Sequence, residues 1–110
     1  MDFSEYQTRT KDTAIYKGQG TIDGLMYVAL GLGEQGEIQG KIKKVYRDND
    51  GKLTDEIRGA IKFELGDLIW YIARVADECN LDFNDIAESN IAKLADRKNR
   101  GVIQGSGDCR

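Results

Sequence analysis

The sequence predicts an all-α protein, a bundle of four or five helices in a single domain that covers residues 1–110. Three observations favour this fold class. Apolar residues recur at helical spacing through four segments of the chain. No stretch of convincing length alternates apolar and polar residues as a half-buried strand would. The chain also contains no proline, a residue that interrupts long helices.

The first two helices are predicted on either side of a break that contains glycine. Residues 3–16 carry a fair helical pattern, with Asp2 or Ser4 as the N-cap. The segment KGQGTIDG then interrupts the pattern with three glycines. Apolar residues at helical spacing resume after it and predict a second helix over residues 21–46.

Two further helices are predicted in the second half of the chain. The third covers residues 55–79, after the turn-rich segment RDNDGKLTD, with Thr54 or Asp55 as its cap. Its apolar residues extend around much of the cylinder, so we expect it to pack on two or more neighbours, some of which can belong to another subunit. The fourth covers residues 83–99, and the glycine-rich segment RGVIQGSGDCR follows it.

Composition excludes several classes of function. Nineteen acidic residues against 16 Lys and Arg give a net charge of −3, so we expect no direct nucleic-acid binding. No apolar run approaches the roughly 18–20 residues that span a bilayer, and the sequence MDFSEYQTRT is too polar for a signal peptide. We therefore expect a cytoplasmic protein without membrane contact.

Nitrogen and sulfur ligands are scarce. The chain has no histidine, which removes the commonest general base and the usual zinc ligand. Cys79 and Cys109 form no CxxC pair, so we expect a small buried thiol and a free thiol near the end of the chain rather than a disulfide or a zinc site. Proton transfer is left to carboxylates, lysine, tyrosine or metal-bound water.

Two acidic pairs are the main chemical feature of the sequence. Glu34 and Glu37 on the second helix, and Glu64 and Asp67 on the third, share the i, i+3 spacing that places both members on one face. A short loop predicts that these helices run antiparallel, so that four carboxylates face one cleft. Two such charges about 4–5 Å apart repel by roughly 3–4 kcal/mol at an effective dielectric of 20.

A hard cation with oxygen ligands, Mg²⁺ or Mn²⁺, would neutralise this cluster. The alternative is a set of ordinary salt bridges, such as Glu37 with Lys41 and Asp67 with Arg74, or simple exposure to water.

Glycines and cations surround the acidic pairs. Glycines within a helix cost about 0.5–1 kcal/mol each relative to Ala, so their clustering here indicates close approach of a neighbouring helix or of a ligand. The glycines are Gly31, Gly33, Gly36, Gly40 and Gly66. The cations and one amide fit a substrate rich in phosphate oxygens, or else form a solvated basic face. They are Lys41 and Lys44 on the second helix and Asn90, Lys93 and Arg97 on the fourth.

Taken together, these segments resemble the MazG-like members of the all-α nucleoside triphosphate pyrophosphohydrolases. The resemblance is carried by EYQ and TAIY near the start, GLGEQGEIQGKIKK, ELGDLIWYIA and NIAKLADRKNRGVIQGSGDCR. It implies hydrolysis of a nucleoside triphosphate to the monophosphate and pyrophosphate by a homodimer or homotetramer. Relatives that act on phosphoribosyl-ATP, dUTP or dCTP keep the same fold and metal, and a non-catalytic helical interaction module is a further alternative.

The resemblance also implies roles for individual residues. The acidic quartet Glu34, Glu37, Glu64 and Asp67 becomes the Mg²⁺-binding and catalytic set. Lys41, Lys44, Lys93 and Arg97 become phosphate contacts, and Asn90 becomes a nucleotide contact. Some relatives carry another Glu where this chain has Gly33, which leaves the identity of the catalytic base open. The segment 101–110 is either a disordered end or a strip that closes over bound phosphates.

Overall fold

A computed structural model describes the backbone of residues 1–33, 37–48 and 50–110, and the side chains of these residues except 37–39, 46 and 48. All regular secondary structure in the described residues is helical, without a β-strand. The helices are α1 (Phe3–Thr10), α2 (Ile22–Gly33), α3 (Glu37–Asp48), α4 (Asp55–Glu78) and α5 (Phe83–Asn99), with a short 3₁₀ turn at Lys11–Thr13. The predicted all-α fold class is confirmed.

The last two helices match their predicted spans closely. Each begins at a side chain that accepts a hydrogen bond from the first turn: Thr54 from the Ile57 amide, and Asp82 from the Asp85 amide. The segment predicted as one helix over residues 21–46 is described as two helices, α2 and α3. Residues 34–36, between them, lie outside the described part of the chain.

The first helix is shorter than predicted. The α-helix ends at Thr10 rather than at Tyr16, and Ala14 is extended, with φ −84° and ψ 91°. The hydroxyls of Thr10 and Thr13 each donate to a carbonyl three residues back, over 2.6 and 3.2 Å. Such local bonds compete with a regular helix, and apolar periodicity does not report them.

Helix α4 is the centre of the fold, and α1, α2 and α3 all pack against it, while α5 packs on α1. Gly31 of α2 lies against Tyr71 of α4, and Lys41 of α3 lies beside Glu64. Moving forward along α2 and α3 therefore means moving back along α4, so the predicted antiparallel arrangement is confirmed.

A buried arginine ties the first twenty residues to the end of α4. The Arg74 side chain is 4% exposed and donates to the Asp77 carboxylate at 2.7 Å, to the Thr10 hydroxyl at 3.3 Å and to the Tyr16 hydroxyl. Tyr16 in turn donates to Glu78 at 2.7 Å. The segment after α1 is thus held by polar bonds rather than by a regular helix.

The single chain is more open than a compact monomer of its size. Its radius of gyration is 17.0 Å, against about 13 Å for a compact domain of this length. Large apolar side chains are exposed on each of the five described helices, including Met26 and Leu30 of α2, Phe63 of α4 and Ile91 of α5. Cys79 is exposed rather than buried as predicted. None of the described helices combines the length and apolarity that a membrane crossing requires.

Candidate functional site

The candidate site lies where α3 faces α4. Glu64 and Asp67 are one helical turn apart on α4, and the ammonium group of Lys41 on α3 lies 3.7 Å from the Glu64 carboxylate. The Glu64 side chain is 21% exposed and that of Lys41 is 32% exposed. This distance permits electrostatic attraction but is longer than a charge-assisted hydrogen bond, so carboxylate oxygens remain available to a further ligand.

Tyr6 of α1 lies within electrostatic range of one member of this acidic pair, Asp67. Burial raises the pKa of the Tyr6 hydroxyl, and the negative charge of Asp67 raises this pKa further. The Tyr6 ring is held edge-on to Phe83, with ring centroids 6.4 Å apart. The phenol therefore keeps its proton to a higher pH than an exposed tyrosine would. Sequence reasoning missed this residue, since nothing in the spacing of α1 relates Tyr6 to α4.

The side chains of the other acidic pair, Glu34 and Glu37, lie outside the described part of the structure. Glu34 lies outside the described residues, and Glu37 begins α3 with a side chain that also lies outside them. Among the described side chains, no three acidic, cysteine or histidine residues come together as a metal site would require. Convergence of the full quartet therefore stays a prediction, and Glu64 and Asp67 are the two members that the structure describes.

Of the two salt bridges considered as an alternative, that of Glu37 with Lys41 involves a side chain outside the described residues, and that of Asp67 with Arg74 does not form. Lys41 lies beside Glu64. Arg74 bonds Asp77, Thr10 and Tyr16 rather than Asp67.

The predicted phosphate contacts separate into two groups. Lys41 lies beside Glu64, and Lys44 is exposed one turn further along α3. Lys93 and Arg97 lie on α5, where both approach the carboxylate of Asp108. Asn90 is exposed on the same helix. In the described part of this single chain, no ion pair or hydrogen bond joins the α5 group to Glu64 or Lys41.

The glycines near the site differ in their surroundings. A Cβ atom added to Gly31 would lie 2.2 Å from a ring carbon of Tyr71, so close packing of α2 on α4 requires glycine at this position. A Cβ added to Gly33, Gly40 or Gly66 would meet nothing within 4 Å. Packing within the chain therefore explains Gly31, whereas Gly33, Gly40 and Gly66 face open space in this single chain. Gly36 lies outside the described residues.

The fold and site define a class of protein. It is an all-α protein in which a carboxylate of one helix lies beside a lysine of the neighbouring helix. The family model of the MazG nucleotide pyrophosphohydrolase domain matches residues 24–102, which include all four predicted acidic ligands. The chain belongs to this family.

A relative of unstated activity spans the same length. The chain is 50% identical over 114 residues to the Gene 37 protein of Mycobacterium phage L5, and the match covers 100% of both chains. No solved structure matches the chain.

Proposed function

We propose that this protein hydrolyses nucleoside triphosphates to the monophosphate and pyrophosphate in a reaction that requires Mg²⁺, or Mn²⁺ in its place. We further propose that it removes noncanonical nucleotides or deoxynucleotides from the cytoplasmic pool. The observation that carries the proposal is the Glu64–Asp67 pair, one turn apart on α4 and facing Lys41, in a chain of the MazG family.

The described residues fit a hard divalent cation. Glu64 and Asp67 offer oxygen donors, the ligands that Mg²⁺ and Mn²⁺ prefer, and the chain has no histidine to favour zinc. We assign the metal to Glu64 and Asp67 together with Glu34 and Glu37. When bound, Mg²⁺ would neutralise the carboxylates and act as a Lewis acid toward phosphate oxygens.

The side chains of the protein have distinct tasks in this proposal. Lys41, held beside Glu64, would bind a phosphate oxygen and offset negative charge as the bond to pyrophosphate breaks. Lys44, Lys93 and Arg97 would hold the remaining phosphate oxygens, and Asn90 would contact the nucleotide. Once they hold the substrate, these groups would lower the barrier by positioning and by electrostatic stabilisation.

A carboxylate of the quartet would accept the proton of the attacking water. The water oxygen forms a bond to the α-phosphorus, the bond from that phosphorus to pyrophosphate breaks, and the proton passes to the carboxylate. We predict that Glu34→Gln, Glu37→Gln, Glu64→Gln and Asp67→Asn each lose most activity at fixed Mg²⁺ while the protein remains folded by circular dichroism. Unchanged turnover in all four variants would remove the catalytic assignment.

We also propose that the active form is a homodimer or homotetramer. A compact 12.3 kDa protein exposes about 6,100 Å², whereas this chain exposes 8133 Å². The excess is about 2,000 Å² per chain, or about 4,000 Å² for two chains, which lies within the roughly 2,000–5,000 Å² that obligate homodimers bury in total. Exposed apolar residues such as Met26, Leu30 and Ile91 would supply the contact, and a second copy would bring further charged groups to the acidic pair.

Light scattering with size-exclusion chromatography tests the assembly directly. We expect a multiple of the 12.3 kDa chain mass at tens of micromolar protein. Leu30→Glu should shift the mass toward the monomer because it places a charge on the exposed apolar face of α2. A monomeric wild-type protein at these concentrations would contradict the proposal.

Product analysis tests the reaction itself. Purified protein is incubated with Mg²⁺ and a panel of canonical and modified nucleoside triphosphates, dUTP, dCTP and phosphoribosyl-ATP, and the products are separated by chromatography. Monophosphate plus pyrophosphate supports the proposal, and the panel identifies the substrate. Diphosphate plus orthophosphate contradicts cleavage at the α-phosphorus. Mg²⁺-dependent melting without release of pyrophosphate would identify a non-catalytic interaction module instead.

A further inference from the structure

The segment after α5 folds back on itself into a closed loop, which we call the C-terminal loop (residues 101–110). The guanidinium of Arg110 donates to the carbonyls of Val102, Ile103 and Gly107, over 3.2, 2.9 and 2.7 Å. The loop turns at Gly105, whose φ of 137° favours glycine. These bonds give residues 101–110 a defined, turned conformation.

The C-terminal loop places an acidic side chain against two of the proposed phosphate contacts. The Asp108 carboxylate lies 3.6 Å from the Lys93 ammonium and 3.7 Å from the Arg97 guanidinium. Arg97 also donates to the main-chain carbonyl of Asp108 at 2.8 Å, and its side chain is only 5% exposed. A cationic pair suited to phosphate oxygens is therefore engaged by the chain itself.

A carboxylate and a phosphate compete for the same partners. Both present anionic oxygens that arginine and lysine bind through N–H donors. With Asp108 in place, the formal charge of the cluster falls from +2 to +1, and the approach of an anionic phosphate is weakened. Asp108 cannot itself bind a phosphate directly without an intervening cation, because like charges repel.

We propose that Asp108 is an internal competitor of the substrate phosphates, and that the C-terminal loop must release Lys93 and Arg97 before they bind nucleotide. The proposal rests on the proposed function for the role of Lys93 and Arg97. The Asp108 side chain is 90% exposed, so its ion pairs are weak and a nucleotide can displace them. The loop therefore adjusts the affinity for nucleotide and does not close the site permanently.

The charge of Asp108 is tested with Asp108→Asn, which keeps the size of the side chain and the carbonyl that binds Arg97. We expect KM for the nucleotide to fall about two- to fivefold with kcat unchanged, the size that one or two exposed ion pairs represent. Glu88→Gln is the matched control, since it removes one exposed carboxylate from the opposite side of α5, and we expect no change in its KM.

Binding of inorganic pyrophosphate provides a readout that does not depend on catalysis. The titration is done by calorimetry in EDTA, which removes divalent metal, so that pyrophosphate is bound by the lysine and arginine side chains alone. Asp108→Asn should then bind pyrophosphate more tightly than the wild type does. The gain should shrink as the salt concentration rises, because exposed charges are screened. Asp108→Ser provides a second variant that lacks the carboxylate and should behave in the same way.

The two experiments distinguish a failure of this proposal from a failure of the proposed function. If the wild-type protein releases no pyrophosphate from any triphosphate, the proposed function is contradicted. The calorimetric comparison still tests whether Asp108 competes with phosphate for Lys93 and Arg97. If both Asp108 variants show an unchanged or higher KM and bind pyrophosphate equally or more weakly, the proposal that Asp108 competes with the substrate is overturned. A higher KM after removal of residues 101–110 would also overturn it, since the loop would then assist binding.

Discussion

Replacement of the buried Arg74 by methionine tests the polar anchor of the fold. Arg74 and Arg58 lie on the same helix, and each pairs with an aspartate three residues away, over 2.7 and 3.0 Å. The two ion pairs differ in how deeply the arginine is buried. The Arg74 side chain is 4% exposed, whereas that of Arg58 is 61% exposed. Methionine retains much of the apolar stem and removes the guanidinium, so the comparison isolates the buried charge and its bonds.

The expected cost follows from what the substitution leaves behind. Removing one partner of a fully buried ion pair costs about 3–5 kcal/mol, because the other charge stays buried without compensation. Asp77 retains 25% exposure, and Lys11 lies 4.0 Å away, so part of this cost is relieved. Tyr16 keeps its bond to Glu78. We expect Arg74→Met to lower the free energy of unfolding by about 2–3 kcal/mol, or roughly 8–12 °C in Tm.

Urea denaturation and calorimetry at one fixed protein concentration provide the measurement, since an oligomer gains stability with concentration. Arg58→Met should cost less than about 0.5 kcal/mol, because its pair is exposed to water. The reasoning about burial would be refuted if the two variants lost similar stability, or if Arg74→Met lost less than about 1 kcal/mol.

Two further predictions concern close packing and pH. Gly31→Ala should lower the free energy of unfolding by about 1–2 kcal/mol, because its Cβ would overlap Tyr71 by more than the helix gains from alanine. Gly59→Ala, which faces open space on α4, should instead raise it by about 0.5–1 kcal/mol in the same urea titration. The raised pKa of Tyr6, caused by burial and then by Asp67, favours the neutral phenol in the native state. Its contribution to stability is therefore complete below the ordinary tyrosine pKa of 10.0 and is lost as the pH rises toward the native value. Burial also raises the pKa of Tyr16, so phenolate absorbance during an alkaline titration should show a late component from both tyrosines, which Tyr6→Phe reduces. A Tyr6 component at the ordinary position would contradict its burial and the effect of Asp67.

Local signals in the sequence located the later helices well. The spans of α4 and α5 followed from apolar periodicity, and Thr54 was one of the two caps predicted for α4. The cap of α5, Asp82, was not predicted, although its bond is also made within one turn. The end of α1 was misplaced because it depends on hydroxyl bonds at Thr10 and Thr13, which compete with a helix whatever the apolar pattern.

The candidate site was predictable in its residues and only partly in its contacts. The i, i+3 spacing of Glu64 and Asp67 is a property of one helix, and so their shared face could be predicted from the sequence. The approach of Lys41 to Glu64, of Tyr6 to Asp67 and of Asp108 to α5 joins residues that are distant along the chain or lie in different elements. Periodicity within one segment contains no information about such pairs.

The sequence by itself determined the all-α class, the two acidic pairs and the family of this protein, because these depend on residue types at spacings of one or two helical turns. The tertiary structure decided which basic side chain lies beside which carboxylate. Lys41 lies beside Glu64, while Lys93 and Arg97 meet Asp108 of the C-terminal loop. Ion pairs act over a few ångströms in space, and only the packing of helices and loops sets those distances.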